Sequence, residues 1–441
     1  MKIAYITAGA AGMYCGSCLH DNTLAAALMA KGHNVALMPT YTPTRTDEED
    51  VSMDRVFYGA VNVFLEQKSA VFRHLPRPLR WLLDRPRLLN WITGRGVSID
   101  PTQLGDMTLS VARGEAGNQR RELEELVSWL RDDFQPDIVH ITNSMFLGLA
   151  EPLKRELDVP VLCALQGEDI FLDELAEPFK SKVRSELQSH AHAVDGLVAT
   201  CHYYADFMAA YLAVPREKVH VVPLGIKLEG HRGPATKPAA ATPANPFVVG
   251  YLARICPEKG LHDLVEGFAL LAQEHGKETV RLRVAGYLGK RDRAYFENVQ
   301  ARIAELGLAE IFDYTGEVSR DEKIAFLQGL DVLSVPTTYQ DPKGLFVLEA
   351  LANGIPVVQP AHGSFPEMIE ATGGGLLSEP GSAESLAAQL ASLMRDPGAR
   401  HELGRRGAES VRARFSDLAM AEATLAVYRQ WVDEPRPGED G

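Results

Sequence analysis

Two short stretches carry residues whose types and spacing suit a phosphorylated ligand. In GYLARICPEKG (250–260) an apolar run ends near Ala253, and Arg254 and Lys259 flank the loop that follows. A guanidinium forks onto two phosphate oxygens, whereas an ammonium acts as a point charge. In YQDPKGLFVLEALANG (339–354) a polar loop leads through Gly344 into an apolar helix. Asp341 precedes that helix and Glu349 lies one turn inside it. The amides near Leu345 and Phe346 are first-turn donors without intrahelical partners, a natural seat for an anion. A carboxylate one turn further in suits ribose hydroxyls, which need acceptors. Read alone, each stretch also fits an ordinary α/β loop with solvated charges.

Other polar groups are less specific. The loop GAAGMYCGSC (9–18) holds Gly9, Gly12 and Gly16, which do not spell G-x-G-x-x-G, and the next strand ends MPTY without a ribose-binding acid. Both points argue against a nicotinamide dinucleotide. Cys15 and Cys18 form a C-x-x-C with only His20 and Asp21 nearby, which is thin for zinc, and a redox pair needs a thioredoxin-like context. Small thiols packing a tight loop is the reading preferred. His140 ends the strand in PDIVHITNS beside Asn143, and LQGEDIFLD (165–173) gathers Gln166, Glu168 and Asp169. The histidine suits either substrate contact or a structural bond to a backbone carbonyl. The other residues can read sugar hydroxyls, or cap a helix.

The elements that must position these groups alternate along the chain. Strands are expected at 2–7 and in NVALMP, PDIVHI, VPVLCAL, DGLVAT and KVHVVPL, with helices between them. Leu123, Leu126, Val127 and Leu130 share one helical face. Residues 230–246 hold four prolines and two glycines without apolar periodicity, which reads as a linker. The pattern then restarts with FVVGYLA, RLRVAG, IFDYTG, DVLSVP and IPVVQP. The expected division is 1–229, a linker at 230–246, 247–415, and a last helix over 416–434. Ser416 caps that helix, and its stripe of Leu418, Ala421, Leu425, Tyr428 and Val432 can pack on its own domain or cross back to the first. Strands separated by helices imply an α/β fold of two doubly wound parallel sheets.

A chain of 441 residues exceeds one ordinary core, in keeping with two domains. Its net charge of −14 argues against nucleic acid as a partner. No run of roughly 18 apolar residues is present, and the start is too short for a signal peptide. Five cysteines without such a signal point to reduced thiols in a cytoplasm. One basic stretch stands out: residues 71–96 carry six arginines, one aspartate and two tryptophans. Such a segment can lie on an anionic membrane or bind an acceptor, or fold with its tryptophans buried.

The order of these stretches resembles the family 4 retaining glycosyltransferases. The resemblance rests on the opening strand and glycine loop, LAAALMAKGHNV, VVPLGI before the linker, the Arg254–Lys259 loop, the acid pair 341/349, and HGSFPEMIEATGGGLLSEP. It implies the GT-B architecture of two facing Rossmann-like domains and transfer of a sugar from a nucleotide diphosphate sugar to an acceptor hydroxyl with retention. By the same resemblance Arg254 and Lys259 hold the donor diphosphate together with Gly344, Leu345 and Phe346. Glu349 takes the ribose, Asp341 the transferred sugar, and the Glu317-Val318 backbone lies near the base. Asp341 stands where the family usually has Glu. Gly16 and Ser17 fall on the phosphate and acceptor loop, and His140 on a region that often carries a functional histidine. Asn143, Gln166, Glu168 and Asp169 fall on the acceptor side. No cofactor is implied, and the lack of an Asp-x-Asp sequence agrees with metal independence. The acceptor is left open among a glycan, a lipid-linked molecule and a small molecule. A nucleotide-sugar epimerase and a non-catalytic sugar-nucleotide-binding protein remain as alternatives.

Overall fold

The computed structural model describes residues 1–9, 16–44, 46–53, 101–233 and 240–432. The chain divides into two compact units: one runs to Pro223 and regains the chain from Ala421, and the other spans Leu224–Met420. The basic stretch 71–96 and Cys15 lie outside the described residues.

The first unit is built on a six-stranded parallel sheet in the order β2-β1-β3-β4-β5-β6. Its strands are β1 (Lys2–Thr7), β2 (Asn34–Pro39), β3 (Ile138–Ile141), β4 (Val161–Leu165), β5 (Gly196–Ala199) and β6 (Val219–Val221). Strands buried on both faces read as continuous apolar runs, and β3, β4 and β5 are buried at every position. The helix Gly16–Ala30 carries the chain from β1 to β2. Leu123, Leu126, Val127 and Leu130 are all buried, as their spacing requires. The order reverses between β1 and β3, so the loops after those two strands open at a topological switch point.

The second unit has its own parallel sheet, in the order β12-β11-β10-β7-β8-β9. Here β7 is Phe247–Leu252, β8 Val280–Ala285, β9 Phe312–Gly316, β10 Val332–Leu333, β11 Val357–Pro360 and β12 Gly375–Ser378. This is the Rossmann order, with its switch point between β7 and β10. Val332 pairs with Val249 and Leu333 with Gly250, so the carboxyl ends of these strands lie side by side. The loops they release are the Arg254–Lys259 loop and the loop through Asp341 and Gly344.

The stretch leading into the expected linker is held by hydrogen bonds. Ile226 is bonded to Phe415 and Asp417, Arg320 donates to the carbonyls of Lys227 and Glu229, and Gly233 donates to Ala352. The stretch 224–233 is therefore fastened to the second unit, and the boundary falls at 223/224 rather than at 230. A low density of apolar residues signals irregular backbone; it does not signal freedom when the backbone polar groups find partners. The last helix, Asp417–Val432, begins where Ser416 Oγ accepts from the Ala419 amide at 3.1 Å. Met420, Ala421, Leu425 and Tyr428 form its buried face, while Leu418 is 49% exposed and leaves the expected stripe.

Candidate functional site

At the switch point of the second unit the two expected loops are clamped together. Thr338 donates its amide to the Glu258 carbonyl at 3.0 Å. Gly260 closes the first loop with φ +69°, and a Cβ there would sit 1.8 Å from the Pro336 carbonyl. Only glycine permits this approach. Gly344 (φ +66°, ψ 41°) is the N-cap of the helix Leu345–Ala352, and its missing Cβ makes room for Phe365 and Met368. The first-turn amides of Leu345 and Phe346 precede the intrahelical ladder.

Inside this clamp Lys259 Nζ lies 2.6 Å from Asp341 Oδ2 and 2.5 Å from the Tyr339 hydroxyl. It also lies 4.9 Å from the centre of the Tyr339 ring and 5.6 Å from that of Phe346. Asp341 is 3% exposed. Burial alone would raise its carboxyl, but the Lys259 charge, the Lys343 amide and the Tyr339 hydroxyl hold it below the usual range. Arg254 stands at the other end of the loop, with Nε 3.4 Å from the buried Cys256 thiol. One cation and one acid of the expected set are therefore in direct contact, and Arg254 is on the same short loop.

Glu349 is buried and its Oε1 accepts from Lys323 Nζ at 2.5 Å; the two side chains are only 10% and 9% exposed. Its carbonyl accepts from Asn353 Nδ2, which also bonds His231 at 2.7 Å. Sequence reasoning missed Lys323 and Tyr339. A signal for the former existed: Ser319 and Glu322 form a capping box that starts the helix Arg320–Gln328 and sets Lys323 in its first turns. Nothing local says that this helix faces Glu349. Val318 packs partly buried against the core, and Glu317 lines a cavity of about 450 Å³. Tyr287, Leu288, Arg293, Phe296 and Tyr314 complete much of its wall. The cavity adjoins the cationic loop, because Ile255 pairs with Leu288.

In the first unit the expected residues fare less evenly. Gly16 is exposed at the start of its helix and Ser17 is half-buried beside it. Asn143 is nearly buried and its Oδ1 accepts from the Met145 amide at 3.1 Å, a capping role. His140 differs from the expectation of a catalytic group. It is 1% exposed, stacks on Tyr5 at 4.6 Å, and bonds the Tyr428 hydroxyl at 2.5 Å. Burial pushes its pKa down to about 3, so it is a neutral packing residue of the sheet. Gln166 likewise turns inward, donating to Asp21 Oδ1 at 2.7 Å and to the Thr142 carbonyl at 2.9 Å. Glu168 accepts from the Ser144 amide and hydroxyl and from the Gln166 amide, so it holds the loops rather than presenting to a ligand. Asp169 is only partly buried. Its Oδ1 accepts from Tyr204 at 2.6 Å, and burial raises its pKa to about 6 despite that bond.

Cys18 is buried. Among the described residues no group of three or more His, Cys, Asp or Glu side chains could hold a metal ion. Among them, too, no helix is long and apolar enough to cross a membrane.

Comparison with known proteins agrees with this fold. The family model "Glycosyl transferase 4-like domain" matches residues 22–225, and "Glycosyl transferases group 1" matches residues 234–410. Glycogen synthase of Mycobacterium tuberculosis is 24% identical over 430 residues, 95% of this chain and 92% of that protein. Mannosylfructose-phosphate synthase of Agrobacterium fabrum is 24% identical over 296 residues, 66% of this chain but 63% of its own length. The fold matches that of the Anabaena protein Alr3699/HepE, solved in complex with UDP, with a TM-score of 0.69 at 16% identity over 98% of this chain and 100% of the other. The paired family models, the GT-B fold with its two Rossmann-like sheets, and the clamped loops at the second switch point agree on one conclusion: the chain belongs to the family 4 glycosyltransferases.

Proposed function

We propose that this glycosyltransferase moves a hexose from a nucleotide diphosphate sugar to an acceptor hydroxyl with retention at the anomeric carbon. The observation that carries the reading is the gathering of Lys259, Asp341 and the Gly344 helix start beside the Arg254 loop. Negative charge grows on the departing diphosphate, and preorganised cations and amides stabilise it where it develops. Arg254, Lys259 and the Leu345 and Phe346 amides take that part without a metal ion. Glu349 accepts from the ribose, Asp341 from the transferred sugar, and the base enters the cavity near Glu317 and Val318. The anomeric bond to the diphosphate breaks as the acceptor oxygen bonds on the same face. The acceptor's proton passes to the leaving phosphate oxygen.

The names of the relatives favour transfer over epimerisation, and the bound UDP of the Anabaena protein favours a nucleotide donor. A thermal-shift panel of UDP-, ADP- and GDP-hexoses tests the reading: one donor raises the melting temperature, and no shift with any of them overturns it. Product analysis by NMR then reads the anomeric configuration, and turnover is expected to persist in EDTA. For the acceptor we assign the segment 71–96 to contact with a lipid-linked molecule on an anionic membrane. Failure to sediment with anionic liposomes at low salt removes that assignment.

A further inference from the structure

The acid that meets the sugar in this reading is short, and the structure surrounds it in an unusual way. Asp341 Oδ2 receives two donors, Lys259 Nζ at 2.6 Å and the Tyr339 hydroxyl at 2.9 Å, while Oδ1 receives the Lys343 amide at 3.0 Å. The Tyr339 oxygen in turn accepts from Lys259 at 2.5 Å. The direction of each bond is fixed, because an ammonium only donates and an ionised carboxylate only accepts. Tyr339 must therefore take a proton contact from lysine and give its own to aspartate. Burial and the Asp341 charge both push the phenol's pKa far up, so it keeps that proton. The ammonium meets Tyr339 at its hydroxyl edge, 4.9 Å from the ring centre, and lies 5.6 Å from the centre of the Phe346 ring.

We propose that Tyr339 is a positioning residue of the donor site, whose hydroxyl aims Lys259 and Asp341 together so that this short acid reads the hexose of a nucleotide diphosphate sugar. The inference rests on the donor-site reading of these loops. Two of the three ammonium protons go to Tyr339 and Asp341, and the third is left for a phosphate oxygen. Without the hydroxyl, the Asp341 carboxylate keeps Lys259 and the Lys343 amide but loses the second bond that fixes Oδ2. The diphosphate contact survives that loss and the sugar contact does not. Asp341 is one methylene shorter than Glu, and the phenol oxygen occupies the space into which a longer acid would extend.

The test uses the full-length protein, Tyr339→Phe, Asp341→Glu and the double variant. Affinities are measured by calorimetry for UDP-, ADP- and GDP-glucose and for the three free diphosphates. Tyr339→Phe keeps the ring, and is expected to weaken the preferred sugar nucleotide about 10-fold while shifting the free diphosphate by less than about 3-fold, as for one lost hydrogen bond to a charged group. Asp341→Glu alone also weakens the sugar nucleotide, because the added methylene meets the phenol. In the double variant the longer acid takes the vacated space, and affinity returns to within about 3-fold of wild type. Equal weakening of both ligands, no weakening, or a double variant no better than the worse single change overturns the proposal while leaving the donor site standing. Wild-type protein that binds none of the six ligands overturns the donor reading and this inference with it.

Discussion

Asp21 and Asp341 are buried to nearly the same degree, and both carboxyls are held below the usual range against burial's upward push. Their partners differ. Asp21, on the helix Gly16–Ala30, accepts from Tyr5 at 2.8 Å, Thr7 and Thr142 at 2.6 Å and Gln166 at 2.7 Å, with His20 at 3.3 Å. These donors come from β1 and from the ends of β3 and β4, so the carboxylate ties the helix to the sheet at the first switch point. Short side chains on strands cannot exchange for a ligand. Asp341 is held instead by a long, flexible ammonium whose aliphatic stem can move and whose charge a diphosphate can share. The first arrangement is a fastening. The second is the arrangement proposed to meet a donor.

Breaking each arrangement separates the two. Asp21→Ala leaves several buried donors without an acceptor at about 1–3 kcal/mol each; partial rehydration brings the total to roughly 4 kcal/mol. Thermal unfolding then falls by about 10 °C. A loss of only a degree or two, measured by calorimetry, would erase the distinction. Lys259→Ala is expected to lower kcat/KM about 10²–10³-fold, or ~3–4 kcal/mol of transition-state stabilisation, with a smaller fall in melting temperature than Asp21→Ala, because Asp341 loses its cation but keeps the Tyr339 hydroxyl and the Lys343 amide. Wild-type turnover in that variant removes Lys259 from the site. Glu349→Ala sharpens the comparison from a third side. It abolishes the proposed ribose contact and also takes from the buried Lys323 the carboxylate it is bonded to, at about 3 kcal/mol of stability. Glu349→Ala with Lys323→Met should recover most of the stability and none of the turnover.

What the sequence made legible follows from how local the cause is. Gly344 sits where glycine, a following apolar run and a loop acid all lie within nine residues, and the structure puts it in the left-handed N-cap. The alternation of strands and helices, and the order of the cationic and acidic loops, likewise need only short windows. The residues that changed meaning are those whose partners are distant. His140 meets Tyr428 across 288 positions, and no window around PDIVHITNS contains the tyrosine that buries it. Lys323 lies 26 residues before Glu349 on a helix whose capping box is readable but whose facing is not. The strand β12 escaped because GGGLL opens with three glycines, weak strand formers, and is added by pairing Val357–Pro360 with Gly375–Ser378. Spacing puts Leu418 on an apolar stripe, yet in the structure Leu418 is exposed and Met420 is buried.

Asp169 offers the smallest effect and the most direct check on how these acids are handled. It lies three residues from the strand-end glutamine that serves Asp21, yet it is only partly buried and has a single hydroxyl donor, Tyr204. Burial, with Glu168 close by, therefore wins, and its pKa stands at about 6. An unfolded aspartate titrates near 4. The folded protein thus binds this proton more tightly, so folding takes it up between pH 4 and 6. Stability falls as pH rises through that interval. Above pH 6 the folded state bears the full cost of a poorly solvated charge, about 1–2 kcal/mol after allowance for partial exposure. Asp169→Asn keeps an oxygen for Tyr204 and removes the charge. It should be more stable than wild type by about that amount at pH 8 and no more stable at pH 4, measured by urea unfolding at both values. An equal gain at both pH values would mean that packing, not charge, sets the difference, and the contrast with the fully satisfied Asp21 would then rest on geometry alone.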